Sequence, residues 1–160
     1  MNVGRDPVAI AYDGSAHADA AVRSAVALFP DRPMIVVSVW EPGLALAMAP
    51  MRDPTGGGYI PPSAEEMATV DRAQHDHATE VAEAGVRLAR ELGADAVPAA
   101  VADELDIAGT ITAIAQARDA CAVVVGWRGR GAFKSRLFGS TTHGLIEHFP
   151  GPVVVVKAED

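Results

Sequence analysis

The chain has 160 residues, 49% of them hydrophobic and 21% charged, with a formal net charge of −8. That length suits one domain able to bury a core without a disulfide or metal staple. The acidic balance argues against non-specific binding to nucleic acid or anionic membrane, and no run nears the roughly 18 apolar residues of a membrane span.

Pro7–Tyr12 (PVAIAY) is an apolar run that predicts a buried strand. Asp13-Gly14-Ser15 follows as a turn, with Ser15 placed to cap a helix. Ala18, Ala21, Val22, Ala25 and Leu28 give Ala16–Phe29 a helical period, and Pro30 ends it. Met34–Trp40 (MIVVSVW) is β-branched and predicts a second buried strand. Residues 42–62 carry five prolines and three consecutive glycines; no period fits them, so a long mobile inserted loop is expected. Ser63-x-x-Glu66 is a capping box that opens a long helix with Met67, Val70, Val81, Leu88 and Leu92 on one stripe and Gly93 as its stop. Ala96–Val101 reads as a strand. Pro98 within it cannot donate a ladder hydrogen bond, so this strand belongs at a sheet edge. Asp106 caps a helix bearing Ile107, Ile111, Ile114 and Ala115. Cys121–Val125 predicts a buried strand, and Cys121, the single cysteine, reads as a core thiol of a reducing compartment. A glycine-rich loop, a short helix from Ser140 to about His148, the break Pro150-Gly151-Pro152 and a last strand Val153–Val156 complete the chain. The opening MNVGRDPVAI has no apolar leader, so a cytoplasmic location is expected.

Strands that are apolar throughout, alternating with helices, predict an α/β fold: one doubly wound domain over residues 1–160, its parallel sheet covered on both faces. In such sheets ligands bind at the carboxyl ends of the strands, where strand order reverses. Asp13 ends the first strand, Val39-Trp40-Glu41 the second, and Gly126 opens the loop after the fourth. That loop, GWRGRGAFKSRLFGST, places Gly126, Gly129, Gly131 and Gly139 among Arg128, Arg130, Lys134 and Arg136. Glycines allow main-chain amides to approach a phosphate. Gly139-Ser140-Thr141 puts amides and two hydroxyls at a helix start, where the dipole favours anions. Arg128 adds a cation beside them. The Asp13 carboxylate would repel phosphate but suits sugar hydroxyls, so a nucleotide is expected, with ribose at one end and phosphates at the other. Neither the Gly-x-Gly-x-x-Gly dinucleotide fingerprint nor the Gly-x4-Gly-Lys-Ser/Thr phosphate loop is present in place.

The spacing Gly126-x2-Gly129-x9-Gly139-Ser140, with Asp13-Gly14-Ser15 and the closing Pro152–Val156, resembles the ATP-binding class of universal stress proteins. The resemblance implies a five-stranded sheet of order 3-2-1-4-5 and a homodimer joined through Val153–Val156. It implies an ATP-binding regulatory role in stress response. By position, Asp13 meets ribose and base, and Val39 meets adenine through its main chain. Gly126 borders the ribose, and Gly129, Gly139, Ser140 and Thr141 hold phosphates. Arg128 and Gly131 join these as candidates. Mg²⁺ beside the phosphates is left open. No general base stands out, so at most slow ATP hydrolysis is expected and no catalytic residue is assigned. Trp127 replaces a small residue of the family, and the alternative is a pocket closed by Trp127 in a module that acts through protein partners. His75 and His77 lie on different helical faces, which disfavours a shared metal. His143 and His148 read as solvated helix residues. Met48, Met51 and Met67 are candidates for a lid or partner surface.

Overall fold

The computed structural model describes residues 5–43, 62–103, 106–129 and 139–158. The elements are β1 (Val8–Ala11), α1 (Ala16–Leu28), β2 (Met34–Trp40), α2 (Ala64–Glu91), β3 (Ala96–Ala102), α3 (Ile107–Ala117), β4 (Ala122–Gly126), α4 (Ser140–His148) and β5 (Val153–Val156). The five strands are all parallel, in the order β3-β2-β1-β4-β5. This is the expected topology.

Side chains alternate across a strand, and each face of this sheet has its own core. Val8 and Ile10 of β1, with Tyr12 just after it, join Met34 and Val36 of β2 against Ala18, Ala21, Val22, Val86 and Ala89 of α1 and α2. Ala9, Ala11, Ile35 and Val37 turn the other way, onto Ala108, Ile111 and Ala115 of α3 and Leu145 of α4. Burial on both faces explains why the central strands show no polar alternation. Each fully buried Val or Ile contributes roughly 1.5–3 kcal/mol.

The helix ends follow the sequence signals. Ser15 Oγ accepts from the Ala18 amide at 3.2 Å. Ser63 Oγ accepts from the Glu66 amide at 3.2 Å, and Glu66 Oε2 accepts from the Ser63 amide at 2.8 Å, which is the complete capping box. Asp106 Oδ1 accepts from the Gly109 amide at 2.7 Å. Gly93, just past α2, has φ +90°, a conformation suited to glycine. Pro98 lies in β3 at the sheet edge, where its missing N–H breaks no central ladder. Cys121 is half-buried against the α1/α2-side core.

Residues 44–61 of the expected inserted loop, including Met48 and Met51, lie outside the described residues. So do Arg130, Gly131, Lys134 and Arg136. Among the described residues no helix is long and apolar enough to cross a membrane.

Candidate functional site

β1 is central, so β2 and β4 flank it and their carboxyl ends open together beside Asp13. The main chain of β2 can be followed out of the ladder. The Val37 carbonyl accepts from Tyr12 N at 2.9 Å, on the β1 side, and the Trp40 carbonyl accepts from Asp103 N at 2.7 Å, on the β3 side. Main-chain groups alternate in direction along a strand, so Val39 faces the β1 side, beyond the end of β1. That is where a ligand could use its amide and carbonyl.

A cavity of about 250 Å³ sits at this exit. Asp13, Ser38, Val39, Trp40 and Glu41 line it from the sheet, and Ile107 from the start of α3. The long helix α2 supplies Gln74, His77, Ala78 and Val81. Trp40 is half-buried and meets the His75 ring edge-on, with centroids 6.0 Å apart. His75 and His77 thus have separate surroundings. Asp71 holds the helix here, because its Oδ1 accepts from the Gly43 amide at 2.8 Å in the turn that leaves β2.

Asp13 also borders the β4 exit. Its Oδ1 accepts from the Ser15 amide at 3.0 Å. Its Oδ2 lies only 2.6 Å from where a Cβ on Gly129 would stand. Glycine at 129 therefore lets the loop main chain rest on the carboxylate. Gly129 N in turn is 3.9 Å from the Cβ position of Gly139, and the Arg128 Cα 3.8 Å from it. The Gly139 amide donates to the Trp127 carbonyl at 3.2 Å, which ties the start of α4 to the end of β4.

Gly139 is the N-cap of α4, and among the described residues no side chain caps the helix. The first helical bond of α4 is His143 N to Gly139 O, so the amides of Ser140, Thr141 and Thr142 precede it. Thr142 spends its hydroxyl on the Gly126 carbonyl, at 2.9 Å, while Ser140 is exposed and Thr141 half-buried. Arg128 Nε is buried with no hydrogen-bond partner among the described residues. The result is a helix start with positive polarity and open amides, beside the main chain of Arg128, suited to an anion.

Two residues singled out in the sequence have contacts that the sequence did not announce. The hydrogen of Gly126 that a Cβ would replace points at α1: a Cβ there would stand 2.8 Å from His17 C and 2.9 Å from His17 O. Gly126 is thereby given a packing role between β4 and the first turn of α1. Trp127 does not line the cavity. Its amide donates to Val156 O at 2.6 Å, and its ring has the Arg128 guanidinium at 5.7 Å and the Lys157 ammonium at 5.5 Å. It does not close the pocket at the β2 exit. His143 and His148 are exposed; His143 Nε2 is 3.7 Å from Glu147, and the His148 ring bonds back to Gly144 O.

Sequence reasoning missed Gln74 and His77. Gln74, His77, Ala78 and Val81 stand at i, i+3, i+4 and i+7 on α2, so the polar pair continues the apolar stripe. A stripe that turns polar on its core-facing side was the available signal.

A doubly wound parallel sheet, with a cavity at one strand exit and a helix start at the next, places this protein in the open α/β class. Residues 4–157 match the model of the universal stress protein family, and the chain belongs to that family. A universal stress protein of Mycolicibacterium smegmatis is 32% identical over 158 residues, covering 96% of this chain and 48% of that protein. The chain thus spans less than half the length of this relative. The solved structure of the hypothetical protein MJ0577 superposes with a TM-score of 0.77 at 18% identity, covering 99% of each chain. A universal stress protein of Archaeoglobus fulgidus, solved in complex with dAMP, superposes with a TM-score of 0.62 at 21% identity, covering 94% of this chain and 97% of that one.

Proposed function

We propose that this protein binds an adenine nucleotide, ATP in particular, and acts as a regulatory protein of the cytoplasmic stress response with at most slow ATP hydrolysis. One observation carries the reading: cavity, Asp13, Gly129 and the start of α4 adjoin one another in that order. A nucleotide has the same order of parts. The base would enter the cavity against the Val39 main chain, and the ribose hydroxyls would meet Asp13. The phosphates would meet Gly129, the Ser140 and Thr141 amides and Arg128. The Archaeoglobus fulgidus relative solved with dAMP supports the choice of adenine.

The test is calorimetry of nucleotide-free protein with ATP, alongside mass spectrometry of whatever the purified protein releases on denaturation. Saturable heat with ATP and released adenine nucleotide are expected. Gly139→Val should abolish binding yet leave the circular dichroism unchanged. The protein itself has room for that Cβ, whose nearest neighbour is 3.8 Å away, so the obstruction falls on the ligand. A parent silent to millimolar ATP rejects the reading, and a Gly139→Val variant that binds like the parent moves the phosphates elsewhere.

The same reading includes a homodimer. β5 is an edge strand of four valines, all half-buried, and a second copy of that strand would cover it. Light scattering at micromolar concentration should give twice the chain mass; the mass of one chain dismisses the dimer.

A further inference from the structure

The cavity at the β2 exit offers two sets of hydrogen-bonding groups. Val39 presents one amide and one carbonyl side by side, which complement the 1,6 edge of a purine. The 6,7 edge then faces away from the strand. In adenine that edge carries a donor, the 6-amino group, beside an acceptor, N7. A carboxamide matches both, since it holds a donor and an acceptor side by side. In guanine the same edge carries two acceptors, O6 and N7, and a carboxamide can satisfy only one of them.

Gln74 is the single carboxamide among the described residues lining the cavity. It is half-buried, and no hydrogen bond joins its amide to another described residue. Its place on α2 is fixed from both sides. Asp71, three residues earlier, holds Gly43 at 2.8 Å, and Ala78, four residues later, is 3% exposed. The helix therefore keeps Gln74 over the β2 exit without the ligand's help.

We infer that Gln74 is a specificity-determining residue that reads the 6-amino/N7 edge of the base and makes the site select adenine over guanine. This rests on the nucleotide-binding reading above. The experiment compares ATP, 7-deaza-ATP and GTP by calorimetry, in the parent and in Gln74→Leu. Leucine keeps most of the volume and removes both polar groups, and a thermal melt confirms folding. The parent should bind ATP about tenfold more tightly than 7-deaza-ATP, the scale of one or two hydrogen bonds, and prefer ATP to GTP by at least as much. Gln74→Leu should bind ATP and 7-deaza-ATP equally, with a smaller preference over GTP. His77→Ala should keep the parent's ratios. If the parent binds ATP and 7-deaza-ATP alike, or if Gln74→Leu keeps the parent's ratio, Gln74 does not read the base and nucleotide binding stands. Loss of the ratio in His77→Ala instead assigns the edge to His77 and overturns the inference. A parent that binds none of the three overturns both readings together.

Discussion

The strands that flank β1 leave the sheet in contrasting ways. At the β2 exit the walls are side chains: Val39, Trp40, Gln74, His77, Val81 and Ile107 around a cavity of about 250 Å³. At the β4 exit the surface is main chain: Gly129, Gly139 and the amides that begin α4. Asp13 touches both. The same topological position thus yields an apolar slot on one side and a polar, anion-favouring cradle on the other. The two ends should also fail differently. A side-chain wall is weakened by taking atoms away, and a main-chain cradle by adding them.

Within the β4 exit the glycines are not equivalent, and the largest expected effect separates them. Gly126→Ala places a Cβ 2.8–2.9 Å from the main-chain carbon and oxygen of His17, which lie in the first turn of α1 and cannot swing aside. Overpacking of this kind costs about 1–3 kcal/mol of stability. A lowered melting temperature is expected with no ligand present. Melting like the parent would mean that α1 and β4 are not in this contact.

Gly129→Ala should act on binding more than on folding. Its Cβ would stand 2.6 Å from Asp13 Oδ2, the far end of a side chain rather than main chain, so the fold can adjust. The adjustment must pull Oδ1 from the Ser15 amide or push the loop outward. Either way the ribose and phosphate contacts lose their register. A melting temperature close to the parent's and an ATP affinity lower by about tenfold, or about 1.4 kcal/mol, are expected in calorimetry. An unchanged affinity would uncouple Asp13 from the cradle and leave the two exits as separate surfaces.

The contrast between the exits also explains what could be read from the chain in advance. The β4 exit is built from residues close in sequence: a strand, a glycine run and a helix start with Ser140 and Thr141. Its spacing was legible because a main-chain cradle needs glycine, and glycine is visible. The β2 exit joins residues 38–41 to residues 74–81, across a connection with no period of its own. Only tertiary packing brings that wall together, and Gln74 by itself looks like any polar residue on a long solvated helix. The strands and caps were legible for similar local reasons: continuous apolar runs, Pro98 at an edge, Ser15, Ser63 and Asp106 before helices; the strand order came from the resemblance to universal stress proteins. Gly126 shows the limit from the other side. The glycine was visible, but its neighbour His17 lies more than a hundred residues earlier, so its packing requirement was not.

Tyr12 gives the smallest expected effect on binding, and it tests whether the end of β1 serves as a frame common to both exits. It directly precedes Asp13 but packs on the opposite face, in the α1/α2-side core. Its hydroxyl donates to Asp19 Oδ1 at 2.6 Å, bracing α1 against β1. Burial, and then the hydrogen bond and negative charge of Asp19, raise the Tyr12 pKa well above its ordinary value near 10. The unfolded chain therefore ionises this phenol first. The stability held by neutral Tyr12 is complete below about pH 10 and is lost as pH rises towards the higher folded value. Tyr12→Phe cannot ionise and should lose less stability than the parent between about pH 8 and pH 11, measured as the shift in urea midpoint. At neutral pH its ATP affinity should stay within about twofold, because no part of Tyr12 lines the cavity. Equal alkaline shifts in the two proteins would place the titrating group elsewhere. A large loss of affinity would show that the Tyr12–Asp19 brace belongs to the site rather than to the frame beneath it.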